Sequence, residues 1–168
     1  MKKTSLSILL LASLVGFAAA QSGSGGDGPG ESNVTAYWTD YNATHNNWDF
    51  NASHVSCARI LGRKPLEWRK KYGWTGFCGS VGPQGDAACG LCLRVTNYID
   101  NETKAEEKVR IVDACGGAGA LELDFETAFM PIDIDGNGNS TGHLNVDYNF
   151  MDCDDSDELE NTLLVSSL

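Results

Sequence analysis

Six cysteines constrain the fold of this 168-residue chain more than any other feature. Each disulfide ties together two segments of the chain, and an even number of cysteines in a short exported chain indicates three such bonds. The pairing stays open at this point, as does a metal or redox use of the Cys89-Gly-Leu-Cys92 spacing. No second C-x-x-C and no H-x-x-x-H motif completes a metal-binding set, so we predict no metal and no cofactor. The cysteines are Cys57, Cys78, Cys89, Cys92, Cys115 and Cys153.

The N-terminus has the layout of a secretory signal peptide. Lys2 and Lys3 precede an apolar run over residues 6–17, and small residues for cleavage end at Ala20. The run is shorter than the stretch of about 20 apolar residues that a membrane-spanning helix needs. We therefore predict a signal peptide over 1–20, secretion into an oxidising extracellular compartment, and no membrane partner.

The rest of the chain divides into a leader, one domain and a tail. Residues 21–32 are almost entirely glycine, serine, proline and acidic residues, which bury too little apolar surface to fold, so they predict a flexible leader. The domain is predicted over 33–154. Residues 155–168 follow the last cysteine and combine acidic with apolar residues. They are either a sorting propeptide, which would direct the protein to the vacuole, or a frayed helix.

Apolar periodicity predicts the secondary structure of the domain. Alternating or β-branched residues between turn clusters predict strands over 91–96, 108–112, 121–125 and 144–150. Residues 65–72 and 125–130 each suit a short helix, stopped by Gly73 and Pro131. We therefore predict a mainly β domain, closed into a barrel because closure removes the unpaired edges of short strands.

The chain is strongly acidic, with a formal net charge of −11 that becomes more negative once Lys2 and Lys3 are removed. Such a surface repels phosphate backbones, so any contact with RNA must be local. Secretion also exposes five N-x-S/T sequons to glycosylation, at Asn33, Asn42, Asn51, Asn101 and Asn139.

Several longer stretches carry specific motifs: Asn46–Asp49, Leu66–Trp74, Trp74–Gly79, Ala87–Asn97, Val109–Cys115 and Gly142–Cys153. Together they closely resemble the barwin family, the plant pathogenesis-related family four of defence proteins. The motifs stand in the family's order, extend over residues 33–154, and place all six cysteines at matching positions. Several independent matches in order are far more specific than one short pattern.

The resemblance implies a fold, a cysteine pairing and a role. The fold is a six-stranded double-psi β-barrel with a few short helices and three disulfides, in the wound-induced type that lacks a hevein domain. The role is that of a secreted, monomeric defence protein acting against fungi and bacteria. The implied disulfides are Cys57–Cys89, Cys78–Cys115 and Cys92–Cys153.

The resemblance also implies ribonuclease activity, with His143, Asp113 and Arg69 as the catalytic residues. Attack on RNA by its own 2′-hydroxyl needs a base, an acid and a cation that holds the phosphate. A histidine titrates near neutrality, an arginine grips phosphate bidentately, and an aspartate orients the histidine. The chain departs from the family at Thr39, where relatives carry a histidine and where threonine cannot serve as a general acid. Two other histidines are available as substitutes, His45 and His54.

A non-catalytic glycan-binding module is the leading alternative. Sugar rings stack their apolar faces on aromatic side chains while their hydroxyls need polar partners, and a neutral sugar is indifferent to net charge. The candidate contacts are Trp38, Tyr41 and Trp48, and the partner is a chitin-type glycan of the microbial cell wall. The competing interpretation is that Trp48, Trp68 and Trp74 belong to the core.

Two further patterns carry less specific signals. The first is paired carboxylates for glycoside hydrolysis, which in so acidic a chain means little. The second is the stretch 133–138, which begins like an EF-hand loop but has Leu144 where the bidentate glutamate belongs, so calcium is not predicted. The carboxylates available for hydrolysis are Asp113, Asp124, Asp147 and Asp152.

Overall fold

The computed structural model describes residues 28–117 and 119–155. The predicted signal peptide, most of the predicted leader and the predicted tail after Asp155 lie outside the described residues. Within those two ranges, no helix is both long and apolar enough to cross a membrane.

Six strands close into a barrel. In chain order they are β1 (Gly30–Thr39), β2 (Gly73–Phe77), β3 (Cys92–Tyr98), β4 (Lys104–Asp113), β5 (Leu121–Asp124) and β6 (His143–Met151). Around the barrel the order is β1-β5-β2-β4-β3-β6. The β1–β5 and β2–β4 pairs are parallel and the other pairs are antiparallel. The prediction of a six-stranded, mainly β barrel is thereby confirmed.

The helices are short and connect the strands. They are α1 (Ala58–Leu61), α2 (Leu66–Arg69) and α3 (Asn137–Thr141), with a 3-10 turn at Gly85–Ala87 and a π-helical turn at Phe125–Phe129. The predicted helix over 65–72 corresponds to α2, and the one over 125–130 corresponds to the π-helical turn. Asp124 caps this turn, because its carboxylate accepts a hydrogen bond from the Thr127 amide.

One apolar core fills the barrel, and a second apolar cluster covers part of its outside. Inside, alternate strand residues are buried, such as Leu93 and Val95 of β3 and Leu121 and Leu123 of β5. Outside, the loop over 40–57 packs with α1 and α2 against β2 and the end of β4. We call this cluster the outer layer, and its buried members include Tyr41, Phe50, Val55, Leu61, Trp68, Trp74 and Val112.

Two of the implied disulfides are formed, and the third pair is adjacent. Cys57–Cys89 ties the outer layer to the segment before β3, and Cys92–Cys153 ties the start of β3 to the segment after β6. The third pair, Cys78 and Cys115, consists of thiols, and the amide nitrogen of Cys115 lies 2.9 Å from Sγ of Cys78.

The ordered domain extends past both predicted boundaries. The Gly28 amide donates to the Phe150 carbonyl at 2.7 Å, and Gly30 pairs with Asn149, so residues 30–32 belong to β1 rather than to the leader. At the other end, the Asp155 carboxylate accepts hydrogen bonds from Arg110, so Asp155 belongs to the domain rather than to the tail. Composition records neither the strand pairing of Gly30 nor the ion pair of Asp155 with Arg110, so it could not include these contacts in the predicted boundaries.

Candidate functional site

A row of paired residues crosses the outer face of the barrel. His143 of β6 pairs with Tyr37 of β1, and Tyr37 pairs with Glu122 of β5. Glu122 pairs with Gly76 of β2, which in turn pairs with Asp113 of β4. Directly paired residues point to the same face of a sheet, so the register alone brings five sequence-distant positions onto one surface. We call it the outer-face row.

Gly76 lies between Glu122 and Asp113 in this row and contributes no side chain to it. A Cβ at Gly76 would lie 2.8 Å from the Tyr41 hydroxyl oxygen, so the glycine makes room for that hydroxyl. The Tyr41 hydroxyl is buried and makes no hydrogen bond of ordinary geometry among the described residues, although the Asp113 carboxylate is close enough to act on it as an acceptor. Burial raises the pKa of Tyr41, and the charges of Asp113 and Glu122 raise it further. The hydroxyl therefore stays protonated, and it lies within the row, over Gly76 and close to Asp113.

Backbone amides hold both carboxylates of the row in place. Glu122 accepts from the amides of Gly116 and Gly117, at 3.1 and 3.0 Å. Oδ1 of Asp113 accepts from the amides of Ser56 and Ala114, both at 2.9 Å. Fixed carboxylates are strong acceptors for hydroxyl donors.

No hydrogen bond or ion pair joins any two of the three predicted catalytic residues within the described part of the chain. His143 and Asp113 occupy opposite ends of the outer-face row, with β1, β5 and β2 between them along the row and β3 between their strands on the other side of the closed barrel. Four inter-strand steps of about 4.8 Å amount to ~19 Å of path around the curved sheet, and the direct distance between the two ends of the row is shorter because the barrel is closed. Arg69 ends α2 in the outer layer, where Nη1 donates to the Trp48 carbonyl at 2.6 Å and the guanidinium lies 6.0 Å from the Phe50 ring centre. In this arrangement Arg69 supports the outer layer.

The comparison with known sequences decides the family. The sequence profile of the Barwin family matches residues 30–153. The chain belongs to the Barwin family. This membership is consistent with a defence or carbohydrate-binding protein.

Solved structures similar to this Barwin-family chain include three proteins of M. perniciosa. Cerato-platanin 3 is 15% identical, with a TM-score of 0.47, and the match covers 71% of this chain and 93% of that chain. Cerato-platanin 2 is 15% identical, with a TM-score of 0.46 and coverages of 71% and 94%. Cerato-platanin 1 is 16% identical, with a TM-score of 0.46 and coverages of 71% and 95%.

The departure of this Barwin-family chain at Thr39 is not offset by a second histidine on the row. Thr39 pairs with Asp124 at the end of β1. His45 and His54 are exposed on the loop over 40–57. His54 stands two residues before Ser56, whose amide donates to Asp113, so it lies on the Asp113 side of the row and not beside His143.

The predicted glycan-binding aromatics are also divided among different surroundings. Trp38 is 42% exposed and packs edge-on against Phe125, at 5.3 Å between ring centroids. Tyr41 is buried, and half-buried Trp48 packs edge-on against Trp74 in the outer layer. The exposed aromatic on the row is Tyr37, which is 38% exposed and 5.7 Å from the His143 ring. Sequence reasoning missed Tyr37, because neighbouring strand residues face opposite sides and only the register shows which side carries the row.

The other predicted carboxylates already have partners. Asp124 is buried and accepts from Thr127 Oγ1 at 2.6 Å, and burial raises the pKa of Asp124 although its hydrogen bonds act in the opposite direction. Asp147 accepts from the Asn33 amide at 2.8 Å, and Asp152 accepts from the Asp154 amide at 3.0 Å.

The EF-hand-like stretch is a turn that its own carboxylates stabilise. Asp133 accepts from the amides of Gly138 and Asn139, at 2.8 and 2.7 Å. Asp135 accepts from both nitrogens of Asn137. Over 28–117 and 119–155, no group of three or more acidic, histidine or cysteine side chains is placed to hold a metal ion.

Proposed function

We propose that this Barwin-family protein is a secreted defence protein that binds chitin-type glycans of the microbial cell wall through the outer-face row. The observation that carries the proposal is the register, which sets an exposed Tyr37 ring in one line with two fixed carboxylates and the gap over Gly76. The Tyr41 hydroxyl fills that gap, because it lies where a Cβ of Gly76 would point.

The chemistry of the row suits a neutral sugar chain. The Tyr37 ring offers a flat apolar face for a pyranose, and Glu122 and Asp113 accept hydrogen bonds from sugar hydroxyls. The five residues of the row include no lysine or arginine, and the whole chain carries a formal net charge of −11. A phosphate backbone would meet acceptors and like charge there, whereas a neutral glycan meets acceptors that match its hydroxyls.

Binding of chitin oligomers by the purified protein tests this proposal. We expect Tyr37→Ala to weaken the binding of a chitin hexasaccharide five- to tenfold in calorimetric titration, because loss of one stacking contact costs about 1–1.5 kcal/mol. Ile60→Ala is the matched control, since Ile60 is an exposed apolar residue of α1 and is not a member of the row. The proposal fails if the wild type is not retained on chitin, or if Tyr37→Ala binds as tightly as Ile60→Ala.

The defence role is tested by growth of a fungus with a chitin-containing wall. We expect the wild type to inhibit growth and Tyr37→Ala to need five- to tenfold more protein for the same inhibition. If both proteins inhibit growth equally, the defence role does not depend on glycan binding by the row.

Ribonuclease action remains a separate prediction, and its three residues, His143, Asp113 and Arg69, lie on three different elements. Digestion of RNA by the wild type and by His143→Ala and Arg69→Ala tests it. Equal digestion by all three proteins would identify a contaminating nuclease, whereas loss in both variants would support the predicted residues if both variants also unfold in urea at the wild-type midpoint. The second measurement is needed because Arg69 also holds the Trp48 carbonyl.

A further inference from the structure

A concave cavity of about 290 Å³ opens next to His143, at the end of the outer-face row. It lies between the end of β3, the turn before α3 and the start of β6. Its size is near the lower limit of small-molecule sites, which range over about 300–1,000 Å³. A cavity of this size takes a compact unit and not the length of a polymer.

The lining is polar and mostly uncharged. It includes three amide side chains, one threonine hydroxyl and the His143 imidazole, and among the described residues that line it there is no lysine or arginine. The one carboxylate, Asp135, is bound on both oxygens by Asn137. Lys104, opposite Tyr98 in the β3–β4 pair, is bound to Glu106 at 3.0 Å. The cavity therefore favours a neutral ligand with many hydroxyl groups over a phosphate.

Three hydrogen-bonding groups of the lining have no partner elsewhere in the described residues. The Tyr98 side chain is 56% exposed, and neither its hydroxyl nor the Asn145 amide bonds to another described residue. Nδ1 of His143 lies 3.4 Å from the Thr141 carbonyl oxygen, so a neutral imidazole that donates there leaves Nε2 free as an acceptor. An exposed aromatic ring beside free donors and acceptors is the combination that a sugar unit requires.

The cavity continues the outer-face row. His143 lines the cavity and also contacts Tyr37, at 5.7 Å between ring centroids. Asn145 and His143 alternate with buried residues along β6, so both face the outer side of the barrel. A glycan that lies across Tyr37 would reach the cavity with its next unit.

We propose that this cavity is a terminal subsite that binds the end unit of a neutral oligosaccharide. The pyranose lies against the Tyr98 ring, and its hydroxyl and N-acetyl groups bond to Asn145 and His143. This inference rests on the proposed glycan-binding function and adds to it the position at which the sugar chain ends.

Titration with chitin oligomers of two lengths tests the subsite. We expect Tyr98→Ala and Asn145→Ala to weaken both a disaccharide and a hexasaccharide at least fivefold. Tyr37→Ala should weaken the hexasaccharide alone, and Ile60→Ala should weaken neither. Enzymatic removal of N-linked sugars beforehand excludes a glycan on Asn139, whose neighbours Gly138 and Thr141 line the cavity.

The outcomes separate this inference from the proposed function. If the hexasaccharide depends on Tyr37 but not on Tyr98 or Asn145, the terminal subsite is wrong and the row remains. If Tyr98→Ala weakens disaccharide binding while Tyr37→Ala leaves hexasaccharide binding unchanged, the subsite is supported and glycan binding by the row is wrong. A nucleoside that binds this cavity where both oligosaccharides fail would overturn the assignment to sugars.

Discussion

Arg110 shows at the residue scale how a charge is accommodated inside this small barrel. Its side chain has no solvent exposure, and its guanidinium lies 3.6 Å from the centre of the Trp68 ring. The Asp155 carboxylate binds it through two parallel hydrogen bonds, at 2.8 and 3.0 Å, and accepts a third from Trp68 Nε1 at 2.9 Å. A buried cation without its countercharge would be strongly unfavourable, so one acidic residue near the chain's end holds this region together.

Loss of the Asp155 side chain should therefore destabilise the protein strongly, although Asp155 lies near the end of the chain. We expect Asp155→Ala to lower the free energy of unfolding by about 3 kcal/mol, because the variant leaves Arg110 buried and unpaired. Urea denaturation measures the change. Asp86→Ala is the matched control, since it breaks the exposed Arg59–Asp86 pair and should cost about 0–1 kcal/mol. Equal losses in the two variants would show that burial of Arg110 does not matter.

The same ion pair predicts a dependence of stability on pH. Partial burial by itself raises the pKa of Asp155, but the hydrogen bonds and charge of Arg110 outweigh it and hold that pKa below its usual value. A lowered folded-state pKa stabilises the fold above the unfolded value of about 3.9, and the stabilisation is lost as the pH falls through the folded-state pKa. The stability gap between the wild type and Asp155→Asn should therefore narrow below about pH 4. A gap that stays constant in urea denaturation from pH 7 to about pH 2.5 would contradict this explanation.

At the scale of elements, β2 is the strand that contacts both the apolar core of the barrel and the outer layer. All five of its residues are buried, because the barrel core covers one face and the outer layer covers the other. Trp74 packs against Phe50 at 4.7 Å between ring centroids in the outer layer, while Phe77 packs against Tyr148 at 5.4 Å in the barrel core. Gly76 between them leaves the space that Tyr41 fills.

A methyl group at Gly76 should disturb both packing and binding. We expect Gly76→Ala to cost about 1–3 kcal/mol of stability, since its Cβ would lie 2.8 Å from the Tyr41 hydroxyl and force that ring outward into the row. Chitin hexasaccharide affinity should fall with it. Gly116→Ala is the control, because a Cβ there meets no atom within 4 Å. If Gly76→Ala and Gly116→Ala have the same unfolding temperature and the same hexasaccharide affinity, the contact between Gly76 and the Tyr41 hydroxyl is unimportant for stability and for binding.

The strands show which features a sequence can reveal. Strands β3 to β6 were predictable because each alternates buried and exposed residues or runs through β-branched residues. β2 was not, since Gly73-Trp-Thr-Gly-Phe77 is buried on both faces and shows no alternation. β1 begins in a stretch of leader-like composition, and its hydrogen bonds go to β5 and β6, which lie far along the chain.

The candidate site was harder to predict than the fold. His143 and Asp113 were named from motifs, yet their places at opposite ends of one row follow from four strand registers that no local pattern encodes. Tyr37 and Glu122 carry no motif at all. Their proximity exists because β1 and β5 run parallel and pair, although they are separated by most of the domain.

At the scale of the whole molecule, cross-links join segments that are distant in the sequence. Cys92–Cys153 spans a sequence separation of 61 residues and Cys57–Cys89 one of 32. In the chain-entropy account, cross-links of this length stabilise a fold by about 3–4 kcal/mol each, mainly by restricting the unfolded chain. The Cys78 and Cys115 thiols occupy the remaining place, between the end of β2 and the loop that follows β4.

We expect Cys78 to join Cys115 as well in the oxidising compartment that the predicted signal peptide implies, because the two side chains are already neighbours. Peptide mapping of the unreduced protein by mass spectrometry should find three linked peptide pairs. Cys78→Ser with Cys115→Ser should lower stability without altering the other two links. Labelling of both thiols by an alkylating reagent in the secreted native protein would show that the third bond does not form.

The pairing of Arg110 with Asp155 also determines where the chain can be cut. The family match ends at residue 153, two positions before the carboxylate that neutralises the barrel's buried cation. A protease that cleaves after residue 155 leaves the ion pair between Asp155 and Arg110 intact and is compatible with the fold. Cleavage before residue 155 removes the Asp155 carboxylate and leaves the buried Arg110 guanidinium without a countercharge. The shortest recombinant fragment worth expressing therefore includes Asp155, although the family match ends at residue 153.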